Sequence, residues 1–84
     1  MRYHLLLDRK IEKQIEHIPL KDYQRIKEAI FSLAENPRPV GSKKLSGRNG
    51  YRIRVGDYRI IYQIRDEQLL VIILSAGNRK DIYN

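Results

Sequence analysis

Between Gly50 and Arg65 the chain alternates in a way that a pair of strands satisfies and a helix does not. Tyr51, Ile53 and Val55 are separated by Arg52 and Arg54, while Tyr58, Ile60, Tyr62 and Ile64 are separated by Arg59, Ile61, Gln63 and Arg65. A period of two sends each set to one face of a pleated strand. Gly56-Asp57, lying between the two runs, has the composition of a two-residue hairpin turn. That turn sets Val55 opposite Tyr58, Arg54 opposite Arg59 and Arg52 opposite Ile61. The hairpin therefore carries an apolar face of Tyr51, Ile53, Ile60 and Tyr62, and a second face dominated by arginine.

The remaining segments have to cover the apolar face. Residues 3–7 (Tyr-His-Leu-Leu-Leu) read as a strand, and Asp8 is placed to cap a helix carrying Ile11, Ile15 and Ile18 at spacings of four and three. Pro19 ends or interrupts it. A second helix follows with Leu20, Tyr23, Ile26, Ile30, Leu33 and Ala34 on one stripe and most of its charges off it. Asn36-Pro37-Arg38-Pro39 stops this helix, because proline has no amide to donate and restricts the residue before it. Val40 to Asn49 is rich in Gly, Ser and Lys, a surface loop with room for a short edge strand. Beyond the hairpin, Asp66-Glu67 turns the chain into Leu69–Leu74, an unbroken apolar run expected for a central strand covered on both faces. At Gly77 the chain is expected to leave that strand sharply. These elements predict one α+β domain over residues 1–84, in the order β-α-α-β-β-β. A two-helix hairpin packs on one face of a small, mostly antiparallel sheet of three to four strands.

What the sequence lacks narrows its chemistry. There is no cysteine and no cluster of acidic residues with histidine, so neither disulfides nor a metal site is expected. No apolar run approaches the roughly 18 residues of a membrane span, and the apolar stretch near Met1 is short for a signal peptide. A cytoplasmic setting without membrane association is the expectation. The glycines form neither a P-loop nor a dinucleotide fingerprint, and no serine lies in a nucleophile-elbow motif. The two histidines, His4 and His17, fall on the first strand and at the end of the first helix, away from the arginines.

The charge is placed unevenly. Residues 1–36 hold seven Lys or Arg against six Asp or Glu, whereas residues 37–84 hold ten against four. A basic half of this kind calls for a polyanion. Like charges directly across a strand pair destabilise it, so Arg54 beside Arg59 either splays into solvent or holds an anion. The planar guanidinium grips phosphate through two hydrogen bonds, and arginines on rigid strands make a preorganised phosphate site. Arg79, Lys80 and Tyr83 follow the last strand within reach of that face. A tyrosine beside an arginine can stack on a base while the guanidinium holds the phosphate.

Three segments, taken in order and spacing, resemble the RelE/ParE superfamily of toxins from prokaryotic toxin–antitoxin operons, in its RelE-like branch. They are Pro37-Arg38-Pro39 with Lys44-Leu45-Ser46-Gly47, then Tyr51 to Tyr62, and Gly77-Asn78-Arg79-Lys80-Asp81-Ile82-Tyr83. The resemblance spans essentially the whole chain. It implies a type II toxin that cleaves messenger RNA in the ribosomal A site as a metal-independent endoribonuclease without a cofactor, silenced by a cognate antitoxin. In the implied reaction the ribose 2′-OH attacks the adjacent phosphate, leaving a 2′,3′-cyclic phosphate and a 5′-OH. Carried over by position, Arg52 and Arg54 hold the substrate or help activate the 2′-OH, and Arg59 steadies the pentacovalent phosphate. Arg79 assists the leaving 5′-oxygen and Tyr83 stacks on a nucleotide. Lys43, Lys44, Arg48 and Lys80 are expected to add phosphate contacts. Two positions depart from the pattern: Asn78 stands where relatives often have histidine, and Arg54 where lysine is common. A guanidinium with a pKa above about 12 is a poor general base, so the base is left unassigned. A ParE-like inhibitor of DNA gyrase and a noncatalytic RNA- or ribosome-binding domain are the alternative readings.

Overall fold

The structure is a computed structural model that describes residues 2–78. Its elements run β1 (His4–Leu6), α1 (Arg9–Ile15), α2 (Leu20–Ser32), β2 (Lys43–Lys44), β3 (Tyr51–Val55), β4 (Tyr58–Arg65), a 3-10 turn at Asp66–Gln68, and β5 (Leu70–Asn78). The strands form one sheet in the order β1-β5-β4-β3-β2. β1 is parallel to β5, and the other pairings are antiparallel. The expected class holds, with five strands; the fifth is the two-residue edge Lys43–Lys44.

Each helix has a local cause. The Asp8 carboxylate accepts the amide of Ile11 at 3.2 Å and starts α1. The helix ends at Ile15, earlier than the Ile11-Ile15-Ile18 spacing suggested, because Pro19 disfavours helical backbone in the residue before it. Ile18 sits in the connecting turn, where its amide reaches the Ile15 carbonyl at 3.1 Å. Pro19 is the N-cap residue of α2, and its carbonyl accepts from Tyr23 at 2.9 Å. Leu20 does not join the stripe: it is 70% exposed. α2 stops at Ser32, ahead of the Asn36-Pro37 signal. Leu33, Ala34 and Glu35 each donate to the carbonyl three residues back, a tightened final turn.

The core lies between the helices and one sheet face. Ile11, Ile15, Ile26, Ile30 and Leu33 meet Ile53, Ile60, Tyr62, Val71, Ile73 and Ala76. The register at the Gly56-Asp57 turn is the expected one, with Arg54 opposite Arg59 and Arg52 opposite Ile61. Gly56 takes φ +60, which suits a glycine at the first turn position. A bulge near Ile61/Tyr62 interrupts the β4–β5 register, so that Ile61 pairs with Ser75 and Tyr62 with Ile73. Leu74 then packs with Leu45 and Ile61 on the other face of the sheet, in a small second cluster. That cluster covers the second face of β5 only at Leu74; Leu70 and Ile72 on the same face stay half-buried, so the expectation of cover on both faces is met at one end of the run. Gly77 is not an exit point: β5 continues to Asn78, with Gly77 opposite Arg59.

The loop after α2 is clasped to the sheet. Arg38 donates to both oxygens of Asp66, at 3.2 and 2.9 Å, and its Nε donates to the Tyr51 hydroxyl at 3.3 Å. The Tyr3 hydroxyl donates to the same carboxylate at 2.7 Å. The Arg38 guanidinium lies 5.3 Å from the centre of the Tyr51 ring, which stacks on Tyr62 at 5.9 Å. The buried Tyr62 hydroxyl donates to the Pro37 carbonyl at 2.7 Å.

Candidate functional site

The face away from the helices carries the charge. Strand register sets Lys43 opposite Arg52 and Arg54 opposite Arg59, with Arg52 also facing Ile61. The three arginines differ in depth. Arg54 is exposed and Arg59 half-buried, while Arg52 is only 9% exposed. The sequence left these arginines either splayed into solvent or holding an anion; the structure sinks Arg52, which lies between Lys43 of β2 and Ile61 of the Leu45-Ile61-Leu74 cluster.

Arg52 is the most constrained of these groups. Its Nε is buried with no hydrogen-bond partner among the described residues. Burial first, then the neighbouring Arg54 and Arg59, pull its pKa below the ordinary arginine value. A guanidinium still keeps its proton at neutral pH. A buried Nε without an acceptor is costly, and an arriving phosphate would supply both a counter-charge for the guanidinium and an acceptor for that nitrogen. Lys43, Arg52, Arg54, Val40, Gly41 and Ile53 line an open hollow of about 280 Å³, which is of a size for one phosphate group with part of its sugar.

The other expected contacts divide. Lys44 pairs with Tyr51, a residue packed toward the helix-side core, so the register sends Lys44 away from the arginine face. Arg48 is exposed in the loop between β2 and β3. Arg79, Lys80 and Tyr83 lie outside the described residues. His4 is exposed on β1. His17 borders a hollow of about 440 Å³ with Gln14, Tyr58, Gly77 and Asn78, at the end of β5 from which Arg79 follows. Alternation in sequence gave no sign of this approach, which arises where the α1–α2 turn meets the last strand. Among the described residues no group of three His, Cys, Asp or Glu is arranged to hold a metal ion. No helix among them is long and apolar enough to cross a membrane.

Known proteins share both the sequence and the fold. Residues 2–83 match the family described as the ParE toxin of the type II toxin-antitoxin system parDE. The chain is 30% identical over 87 residues to Toxin RelG of Mycobacterium tuberculosis, covering 99% of this chain and 98% of that one. It is 27% identical over 82 residues to the mRNA interferase toxin RelE of Escherichia coli, covering 95% and 86%. Among solved structures, the archaeal RelE–RelB complex from Pyrococcus horikoshii superposes with a TM-score of 0.83 at 28% identity, over 98% of this chain and all of that one. The intact Escherichia coli RelBE toxin–antitoxin complex superposes with a TM-score of 0.76 at 28% identity, over 90% and 95%. A helix hairpin on a five-stranded sheet with a basic outer face is thus the architecture of a type II toxin. The chain belongs to the ParE toxin family, within the RelE/ParE superfamily.

Proposed function

We propose that this toxin is a metal-independent endoribonuclease that cuts messenger RNA on the ribosome and is held inactive by a cognate antitoxin. The observation that carries the reading is the row of Lys43, Arg52, Arg54 and Arg59 on one rigid sheet face, with Arg52 buried and its Nε lacking an acceptor among the described residues. In the proposed reaction the 2′-oxygen of the ribose bonds to the adjacent phosphorus as the bond to the 5′-oxygen breaks. The 2′ proton passes to solvent and the departing oxygen gains a proton. The chain's own part is electrostatic: Arg52 and Arg54 hold the phosphate, and Arg59 meets the charge that grows on its oxygens. Preorganised charge of this kind is often the largest catalytic term. Arg79 is assigned to the leaving 5′-oxygen and Tyr83 to stacking on a neighbouring base, with Lys80, Lys44 and Arg48 as outer phosphate contacts. With no histidine lining the basic hollow, cleavage of free RNA should be slow and dependence on the ribosome follows. The relatives named as an mRNA interferase and as RelE–RelB complexes support the activity and the partner.

The deciding experiment is primer extension on a message in a purified translation system, with and without ribosomes. Wild-type protein should cut within codons only when ribosomes are present. Arg59→Ala should fold normally and cleave about 100- to 1,000-fold more slowly, the usual cost of removing one oxyanion-stabilising donor. Near wild-type cleavage by Arg59→Ala would remove the assignment. The matched family bears the ParE name, which favours gyrase inhibition as a second reading. An intact message together with gyrase-poisoned DNA would establish that reading instead.

A further inference from the structure

The Pro37-Arg38-Pro39 segment has no part in the phosphate chemistry, yet it is the most heavily braced loop among the described residues. Five side-chain hydrogen bonds converge on it and its anchor. Arg38 makes three, Tyr3 shares the Asp66 carboxylate, and Tyr62 fixes the Pro37 carbonyl. The Arg38 amide donates to the Asn36 side chain at 3.2 Å, and the Ser42 amide to the Pro39 carbonyl at 3.0 Å. Two prolines fix φ on either side of Arg38. Gly41, at φ +94, then turns the chain back toward β2.

The residue this bracing presents is Val40, which is fully exposed at 106% of its reference area. A lone exposed valine is ordinary. Val40 is set apart by its surroundings. Leu20 and Phe31, also exposed, border a hollow between the helices whose charges are mixed (Glu12, Glu16 and Lys27), whereas Val40 borders the basic hollow of Lys43, Arg52 and Arg54. A rigid loop thus holds an apolar side chain at the rim of a cationic phosphate site. Nucleotides offer just that pairing, with charge on the phosphate and an apolar face on the base.

The geometry points to Val40 as a nucleobase contact: the clasped loop 37–41 packs this side chain on the face of the base attached to the phosphate held by Arg52 and Arg54. The inference rests on the arginine face being an RNA site. The clasp makes the contact effective, because a loop backbone already held in place loses little freedom on binding. Val40 is a positioning residue; it donates no hydrogen bond and moves no proton.

The test uses fluorescence anisotropy with the full chain, a short labelled single-stranded RNA, and a strand of the same length with abasic sugars. Wild type should prefer the base-bearing strand. Val40→Ser, at a site that buries nothing, should keep the melting temperature and lose about tenfold in affinity for the base-bearing strand. Its affinity for the abasic strand and its salt dependence should not change. Arg54→Ala should weaken both strands alike and reduce the salt slope by about 1. On the ribosome, Val40→Ser should raise KM with kcat little changed and shift the cut positions. Equal affinity of wild type and Val40→Ser for the base-bearing strand would overturn the inference, as would equal losses on both strands. If the wild type failed to cleave messenger RNA while Val40→Ser still lost its base preference, the nuclease reading would fall and the contact would stand.

Discussion

A single guanidinium shows how function strains this fold. Arg52 is buried beside two other arginines, and its Nε finds no acceptor among the described residues. Replacing an unpaired buried charge by an apolar group of similar length removes a desolvation cost. Arg52→Met should therefore be neutral or raise stability by about 1 kcal/mol, while weakening RNA binding severalfold. Thermal unfolding and anisotropy on the same preparation check both halves; a loss of stability above about 2 kcal/mol would show that Arg52 is structural. The arginine positions were legible in the sequence, because a two-residue turn and strict alternation leave one register. The depth of Arg52 was not. It depends on β2 arriving from a loop and on a bulge that brings Leu74 to Ile61, and neither leaves a periodic trace.

Among the elements, the clasp between the loop after α2 and the sheet carries the clearest energetic consequences. Tyr62 is fully buried, and burial pushes its hydroxyl pKa up to about 12, so it remains a donor to the Pro37 carbonyl at any working pH. Tyr62→Phe would leave that carbonyl without its donor and should cost about 1–3 kcal/mol, read as a drop in melting temperature of several degrees. Asp66 adds a pH dependence. Its hydrogen bonds from Arg38, then Tyr3, hold the carboxyl below its usual value of 3.8. A depressed folded-state pKa gives stability that is complete above the unfolded value and is lost as pH falls through the folded one. Melting temperature should thus fall more steeply below about pH 4 in wild type than in Asp66→Asn, which lacks the titrating group; parallel curves would mean that the ion pair contributes nothing. The proline signal announced a stop and a loop, but partners as distant in sequence as Arg38 and Asp66 have no local signature. The helix boundaries shifted for a related reason: Pro19 and the tightened turn at Leu33–Glu35 act on backbone geometry, which the apolar stripe does not report.

For the molecule as a whole, the net charge of +7 and the basic sheet face ask for a partner that covers them. Hydrogen exchange with and without the product of the neighbouring gene should show new protection across residues 50–62. Protection confined to the outer surfaces of α1 and α2 would place the partner elsewhere. The fold class was legible because hairpin, helices and apolar run each pointed to one sheet with one covered face. The strand order was less so, since β1 joins by pairing in parallel with β5, the first strand with the last. That pairing sets a timetable. At a synthesis rate of about 5–20 residues per second, His4 must wait several seconds for Leu70 to exist before the sheet can close. Contacts between such distant segments also close slowly on entropic grounds. The arginine strands β3 and β4 are made before the strand that backs them, so a growing chain passes through a stage in which its most basic segment exists without its scaffold. A ribosome making this toxin therefore releases its sheet for closure only at the very end, so that the basic hairpin of β3 and β4 gains its neighbour β5 last of all.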